Sequence, residues 1–189
     1  MINYKLVKRV FKYLLMTYVL VLALFLGLLG YKHMTRPTYR WDTTKTTFDA
    51  FNYIEDDKED RILYWGFEGC PWCSEAKPVL EEVAKEYDLP VYYIQTSSKE
   101  RGDLLTDAQR DILEGLLKDN KDYLDKEGKF HFYVPTTMVI KDGKINSAHM
   151  GTVKGHNAHE REMTDKEKEE LKGIFEEMID PIQFRYFEH

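Results

Sequence analysis

Two cysteines separated by two residues, in the stretch GFEGCPWCSEAKP (66–78), are the side chains of this chain best suited to chemistry. They are the only cysteines among its 189 residues. Such a pair could be a redox-active dithiol, half of a metal site, or a structural disulfide. The context favours the first use, because a short aromatic and β-branched strand precedes Cys70 and an amphipathic helix follows it.

The two other uses are disfavoured on physical grounds. A structural zinc site needs four ligands, and the one histidine cluster, His149, His156 and His159, lies far along the chain in a Gly-rich stretch. A disulfide across two residues closes a very small loop, so it removes little entropy from the unfolded chain. We therefore predict a reactive pair, no metal and no bound cofactor.

The position of the pair predicts an asymmetry between the two sulfurs. Cys70 directly precedes the predicted helix, and Pro71 suits its first position. The unpaired amides and the dipole of the helix N-terminus favour a thiolate at Cys70. Cys73 lies one turn further in, where it can attack a mixed disulfide formed at Cys70. We expect Cys70 to be the more acidic and more exposed attacking sulfur and Cys73 to be the shielded, resolving sulfur.

A regular series of elements positions this pair. Hydrophobic periodicity predicts helix, strand, helix, strand, helix, strand, strand and helix in chain order. Capping-box spacing marks the start of two helices at Thr106 and Thr164, and Asp142-Gly143 marks a hairpin between the last two strands. The early strand–helix–strand part implies parallel pairing, so we expect an α/β fold whose central sheet is mixed and flanked by helices.

A transmembrane helix is predicted before the folded domain. Residues 13–31 contain no charged side chain, and a helix of this length covers roughly the hydrocarbon thickness of a bilayer. Basic residues from Lys5 to Lys12 precede it, so the positive-inside rule puts residues 1–12 in the cytoplasm. A cleaved signal peptide is disfavoured by the length of the run and by the lack of a small-residue cleavage site. We expect a single-pass signal anchor in the cell membrane, with the C-terminal domain extracytoplasmic.

Composition gives the remaining boundaries and excludes one class of partner. Residues 32–45 have mixed polarity and no sustained period, which predicts a linker, and residues 46–189 hold the folded domain. Residues 1–40 carry seven Lys or Arg and no Asp or Glu, whereas the whole chain has a formal net charge of −6. The folded domain is therefore strongly acidic, and nucleic acid is excluded because its phosphates would repel such a domain. We expect this domain to be a monomer.

The segment WGFEGCPWCSEAKPVL resembles the active-site segment of the thioredoxin superfamily. Pro78 stands five residues after the second cysteine, where thioredoxins carry a helix-kinking proline. The stretch YVPTTMVI is similar to the strand that begins with a cis-proline in that family, which makes Pro135 the cis-proline and Val134 the residue before it. MGTVKG resembles the Gly-containing end of the final strand, and the similarity covers roughly residues 46–182. The resemblance implies a thioredoxin-like fold and thiol–disulfide oxidoreductase activity.

The resemblance also implies roles for the site residues. Cys70 and Cys73 would be catalytic, and Trp72, Val134 and Pro135 would contact the client polypeptide. Trp72 would lie exposed beside the attacking sulfur, either as an apolar platform for the client or partly packed on the loop around 135.

Three departures from the family pattern stand out. Tyr64 occupies the position where many thioredoxins have a buried Asp that moves a proton, so Glu68 or a water molecule is the candidate substitute. The dipeptide between the cysteines is Pro-Trp, which resembles the Pro-Tyr of glutaredoxins. Residues 96–132 form a longer connection than a minimal thioredoxin needs, and this insertion could shape a surface for a specific partner.

The expected function is that of a membrane-anchored extracytoplasmic thiol–disulfide oxidoreductase. Its partners would be exported proteins or peptides with cysteines, and a membrane redox partner is a further candidate. The overall layout also resembles bacteriocin transport accessory proteins. The alternative is therefore a non-catalytic binding module for an exported peptide such as a bacteriocin, against which the retention of both cysteines argues. The direction of electron flow does not follow from the sequence, because small local changes move a reduction potential.

Overall fold

The computed structural model describes residues 4–34, 39–45, 47–55, 59–98 and 102–187, and the chain divides into two units, 1–36 and 37–189. The first unit is a single helix, α1 (Tyr4–Met34). Its segment Phe11–Leu28 has a mean hydropathy of 2.0, is long and apolar enough to cross a membrane, and buries none of its residues. This segment falls almost entirely within the predicted span 13–31.

The second unit alternates strands and helices around one sheet. Its helices, in the part of the chain that the structure describes, are α2 (Thr47–Glu55), α3 (Pro71–Glu86), α4 (Asp107–Leu117), α5 (Asp165–Phe187) and a 3-10 turn at Lys121–Tyr123. Its strands are β1 (Arg40–Lys45), β2 (Arg61–Gly66), β3 (Pro90–Gln95), β4 (Ser97–Ser98), β5 (Gly102–Asp103), β6 (Thr136–Lys141) and β7 (Lys144–Met150).

The central sheet has the strand order β1-β3-β2-β6-β7. Strands β1 and β2 both pair with β3 in parallel, whereas β6 is antiparallel to β2 and to β7. The predicted mixed sheet is therefore confirmed. Strands β4 and β5 form a separate two-stranded sheet inside the 96–132 insertion.

Helices cover the sheet on both faces, which explains why the central strand β2 is apolar after its first residue, Arg61. Successive side chains of a strand point to opposite faces. Ile62 and Tyr64 accordingly join the cluster that contains apolar residues of α3 and α5. Leu63 and Trp65 join the cluster on the other face, which contains residues of α2 and α4. Every residue of β2 is buried as a result, and the strand leads directly into the cysteine loop.

Strand β1 corrects the predicted linker at residues 32–45. Residues 40–45 form an edge strand that pairs with β3, residues 32–34 belong to α1, and residues 35–38 lie outside the described part. The strand was missed because RWDTTK has no alternating apolar pattern, and an edge strand needs only one partner. Trp41 still packs against the core cluster of α3 and α5.

The local signals for turns and caps are confirmed. Asp142 and Gly143 both have positive φ, at 53° and 68°, as a two-residue hairpin turn requires. Thr106 caps α4 with a complete capping box, and the side chain of Thr164 accepts a hydrogen bond from the amide of Glu167 at 3.3 Å. Helix α5 runs to Phe187 and so includes Pro181.

Candidate active site

Cys70 caps the helix that carries the cysteine pair. Its backbone is extended, Pro71 occupies the first turn, and the Cys70 Sγ accepts a hydrogen bond from the amide of Cys73 at 3.1 Å. The preceding Gly69 has φ +90°, a conformation that favours glycine. This tight turn joins the end of β2 to the helix. The amide of Cys73 therefore points at the Cys70 sulfur, and with the dipole of the helix N-terminus it stabilises negative charge there.

The two cysteines form a disulfide, with their Cα atoms 5.2 Å apart. Cys70 is 4% exposed and Cys73 is 6% exposed. The expectation that Cys70 is the more exposed residue is therefore wrong for the oxidised pair. The reason is geometric, because the Cys70 sulfur lies between its bonded partner and the carbonyl oxygen of Val134, which is 3.9 Å away.

A cis peptide bond joins Val134 and Pro135, as the family resemblance implied. Pro135 directly precedes β6, and its carbonyl accepts a hydrogen bond from the amide of Gly151 at 2.7 Å. This bond ties the Pro135 segment to the end of β7. The Val134 carbonyl, in contrast, lies next to the Cys70 sulfur.

Tyr64 reaches the first turn of α3 from the sheet. Its hydroxyl donates a hydrogen bond to the carbonyl of Cys73 at 3.0 Å. Burial raises the pKa of Tyr64 far above its ordinary value, so this hydroxyl stays neutral. Tyr64 therefore holds the helix start but cannot serve as a base for the Cys73 thiol near neutral pH.

Glu68 lies exposed on the turn before the cysteines. Burial, and then the charge of Glu68, raise the pKa of Tyr93. Both residues border a cavity of about 340 Å³ that Cys73 also lines. Glu68 thus shares a cavity with the sulfur whose proton it was predicted to move.

Trp72 is partly buried, which corrects the expectation of an exposed ring. It contacts His159 rather than the loop around 135, with ring centroids 4.6 Å apart and planes nearly perpendicular. The connection between β7 and α5 that carries His159 is held down at two places. The Glu75 side chain accepts from the amide of Met163 at 3.0 Å, and the buried His156 contacts Thr152 at 2.8 Å.

Histidines and other metal ligands do not converge in the described part of the chain. Within residues 4–34, 39–45, 47–55, 59–98 and 102–187, no group of three or more His, Cys, Asp or Glu side chains could hold a metal ion. His149 and His156 make local hydrogen bonds with the connection between β7 and α5.

The insertion forms a second cavity beside Val134, a feature that the sequence did not identify in detail. It has about 290 Å³ and is bordered by Phe67, Phe132, Tyr133 and Arg110 as well as Val134. Tyr133 is 58% exposed, which is unusual for so large a side chain next to a cavity. Its position directly before the Val134-Pro135 pair is the one sequence signal that could have singled it out.

Comparison with known proteins reports similarity at the level of structure. No family model matches the chain, and no curated protein matches it. Similar solved structures include a thioredoxin from Plasmodium falciparum, with 18% identity, 72% of this chain and 97% of that chain covered, and a TM-score of 0.39. A mutant thioredoxin from Halobacterium salinarum has 15% identity, coverage of 75% and 91%, and a TM-score of 0.38. The thioredoxin of Trypanosoma brucei brucei has 13% identity, coverage of 62% and 82%, and a TM-score of 0.37.

These sequence identities and TM-scores are low, so the conclusion about the fold rests on the strand order and on the geometry of the site. A close cysteine pair at the start of α3 suggests a redox role at the general level. The mixed sheet with helices on both faces, the N-capping Cys70 and the cis-proline beside it together give the second unit of this chain a thioredoxin-like fold.

Proposed function

We propose that the protein is a membrane-anchored, extracytoplasmic thiol–disulfide oxidoreductase that acts on exported proteins or peptides. The observation that carries this proposal is the position of Cys70, which caps α3 and lies 3.9 Å from the Val134 carbonyl. A helix N-terminus lowers the pKa of a cysteine thiol at this position and so supplies a nucleophile.

The exchange proceeds in two balanced steps. The Cys70 thiolate attacks one sulfur of a client disulfide, and that bond breaks to leave a mixed disulfide and one client thiolate. The Cys73 thiolate then attacks the Cys70 sulfur and releases the second client thiolate, so the protein pair is oxidised by two electrons and the client is reduced by two. The client thiolates take up the two protons that the cysteines gave up. The same steps in reverse introduce a disulfide into the client.

The client is held on the side of the disulfide that carries Val134 and Pro135. Pro135 has no amide hydrogen and its carbonyl is bonded to the Gly151 amide, so the Val134 carbonyl is the backbone acceptor that this segment offers beside the disulfide. The second cavity, beside Val134, supplies a place for one client side chain. Both features suit an extended polypeptide with a cysteine, and Trp72 borders the same disulfide. The resemblance to bacteriocin accessory proteins stays a prediction about the client.

The anchor and its orientation rest on α1. Residues Phe11–Leu28 are long and apolar enough to cross a membrane, and basic residues precede them. The domain that follows would then fold where disulfides persist. A reporter that is active only in the cytoplasm, fused at His189, should stay silent in cells. Strong reporter activity would contradict this orientation.

The activity is tested with the full-length chain in detergent micelles. Reduction of insulin disulfides by dithiothreitol should proceed faster with the protein than without it. Cys70→Ala should not accelerate the reduction of insulin. If the wild-type protein and Cys70→Ala gave the same rate, the protein would be a binding module without redox activity, and that result would contradict the proposal.

A further inference from the structure

The 96–132 insertion supplies most of the walls of the cavity beside Val134. The lining residues that belong to the insertion are Thr96, Ser97, Asp103, Leu105, Arg110 and Phe132. The cavity has a volume of about 290 Å³, just below the range for sites that enclose a whole small molecule. A cavity of this size suits one side chain of a larger ligand.

Two other lining residues connect this cavity to Cys70. The carbonyl oxygen of Val134 lies 3.9 Å from Cys70 Sγ, and the carbonyl of Phe67 accepts a hydrogen bond from the Cys70 amide at 3.3 Å. Because neither cysteine borders the cavity, a client joined to Cys70 would reach it with a side chain near its own cysteine. In an extended chain, the side chains two residues away point to the same face as the cysteine, about 7 Å from it.

The walls of the cavity are mainly apolar. Phe132 packs edge-on against the buried Trp65, with ring centroids 5.5 Å apart, and Leu105 is buried as well. The hydroxyl of Thr96 already donates a hydrogen bond to the Gly66 carbonyl at 3.2 Å. These walls offer apolar and aromatic contacts to an entering side chain, and aromatic rings gain further stabilisation when they pair edge-on or offset-stacked.

The charges of the cavity offset each other. Among the described residues that line it, the charged side chains are those of Asp103 and Arg110, and the Arg110 guanidinium donates to the Asp103 carboxylate. The Asp103 side chain also accepts a hydrogen bond from the Leu105 amide at 3.0 Å. An acidic or basic side chain would therefore lose its hydration without meeting an unpaired opposite charge, whereas a neutral ring needs no charged partner.

The Tyr133 ring is held in place although it is 58% exposed. It stacks on the His131 ring, with centroids 5.7 Å apart and planes 12° from parallel. His131 Nε2 lies 2.7 Å from one Asp125 carboxylate oxygen, and the amides of Glu127 and Lys129 donate to the other oxygen at 2.9 and 2.8 Å. An aromatic surface that is fixed before binding loses little conformational entropy when a ligand packs on it.

We propose that the cavity beside Val134 binds a neutral aromatic side chain of the client, two residues away from the cysteine that reacts with Cys70. This inference rests on the proposed redox function and gives that function a sequence preference. The client ring packs among the side chains of the insertion and Tyr133, and the paired charges of Asp103 and Arg110 disfavour acidic and basic side chains. The insertion thereby selects the exported polypeptides that the cysteine pair oxidises or reduces.

Peptide disulfides test the preference. The probes are disulfide-linked dimers of an acetylated pentapeptide amide with a central cysteine, glycine on each side of it, and Phe, Ala or Asp at both ends. Each dimer is mixed with the reduced full-length chain in micelles, and oxidation of the protein is followed by mass spectrometry after an acid quench. The half-saturating concentration should be about fivefold lower for the Phe peptide than for the Ala peptide, the scale of partial burial of a Phe side chain. Equal values for the Phe and Ala peptides, or an Asp peptide that binds as well as the Phe peptide, would overturn the proposal.

A matched pair of variants tests the role of the ion pair. Asp103→Asn keeps the shape of the side chain but leaves the Arg110 charge without its partner, so the half-saturating concentration of the Asp peptide should fall about threefold, the scale of one exposed ion pair. The control Asp111→Asn removes the same charge from an exposed position of α4 that does not border the cavity, and should leave all three peptides at their wild-type values. An equal gain for the Asp peptide in both variants would assign the attraction to the overall charge of the protein and would overturn the proposal.

Tyr133→Ala removes the fixed ring and should bring the values for the Phe and Ala peptides close together. A full preference for Phe in this variant would contradict the assigned binding site. Insulin reduction, measured alongside, separates this inference from the proposed function. Accelerated insulin reduction without a preference for the Phe peptide would remove the inference alone, whereas loss of insulin reduction in the wild type would remove both.

Discussion

Two cavities lie near the disulfide, and they differ in the chemistry that they offer. Neither cysteine lines the cavity beside Val134, where the Val134 carbonyl lies 3.9 Å from the Cys70 Sγ. The cavity of about 340 Å³ is bordered by both cysteines and by side chains that include the rings of Tyr64 and Tyr93 and the charges of Lys77 and Glu68. Backbone groups are common to all polypeptides and discriminate little among clients. Side-chain walls, in contrast, discriminate by charge and shape, so the comparison suggests that the larger cavity selects among ligands more strictly than the Val134 carbonyl alone does.

The largest expected effect separates the two sulfurs directly. Cys70→Ala should abolish insulin turnover and trap no client, because the attacking sulfur is gone. Cys73→Ala should also lose turnover but should accumulate clients as mixed disulfides through Cys70, because resolution fails. Non-reducing electrophoresis of both variants after mixing with a disulfide-containing client gives the answer. Clients trapped through Cys73 in the Cys70→Ala variant would show that the assigned roles are reversed.

The next effect concerns the packing of Cys73 Sγ against Gly66 of β2. A methyl group in Gly66→Ala would lie 3.3 Å from Cys73 Sγ, closer than an ordinary contact, with the Tyr64 and Tyr93 rings at 3.4 Å, and overpacking of this kind costs about 1–3 kcal/mol. The free energy of unfolding of the oxidised protein should fall by that amount in urea titrations. Gly115→Ala is the matched control, because nothing lies within 4 Å of its added Cβ and an exposed helical Ala gains about 0.5–1 kcal/mol over Gly. Equal stability of the two variants would place the Cys73 sulfur elsewhere.

How much of this site the sequence predicted depends on how local each signal is. The cysteine pair, the cap at Cys70 and the hairpin at Asp142 follow from neighbouring residues, and all were predicted. The cavity of about 340 Å³ that both cysteines border was not, because Trp41, Tyr93 and Lys77 come from three elements and only the fold brings them together. Lys77 alone carried a signal, since it lies one helical turn after Cys73 on the same face. Trp41 was hidden within the predicted linker, which lacks the apolar alternation of a strand.

Tyr64→Phe tests the hydrogen bond between the Tyr64 hydroxyl and the Cys73 carbonyl. The variant loses the hydrogen bond to the Cys73 carbonyl, which should lower the free energy of unfolding by about 1 kcal/mol. Because burial keeps the Tyr64 hydroxyl neutral, the pH profile of insulin turnover should not change. Glu68→Gln should shift that profile if Glu68 moves the proton of Cys73. If the pH profile shifted in Tyr64→Phe and stayed unchanged in Glu68→Gln, Tyr64 rather than Glu68 would be the residue that moves the proton of Cys73.

Tyr133→Ala should weaken only the binding of the client beside Val134. The ring is exposed and borders the cavity beside Val134, so its loss should raise the KM for insulin a few-fold, as expected for truncation of an interface residue of modest weight. The kcat for insulin should stay at the wild-type value, because neither cysteine borders this cavity. Leu116→Ala removes a comparably exposed apolar side chain from α4, outside that cavity, and should change neither value. A lower kcat in Tyr133→Ala would mean that the cavity beside Val134 also affects the cysteines.

The smallest effect is a pH dependence of stability that involves His149 of β7. His149 pairs with Thr137 of β6, the strand that follows Pro135, and its ring contacts the Thr152 carbonyl at 2.9 Å. Burial lowers the pKa of His149, although the Thr152 carbonyl and the charge of Asp122 partly oppose this. The unfolded chain therefore binds a proton at higher pH than the folded chain, so this stabilisation is complete above about pH 6.5 and is lost as the pH falls towards the lowered pKa. The free energy of unfolding should fall more steeply between pH 7 and pH 5 in the wild type than in His149→Gln. The control His159→Gln, at an exposed position on the connection after β7, should keep the wild-type slope, and a wild-type slope in His149→Gln would contradict the role of His149.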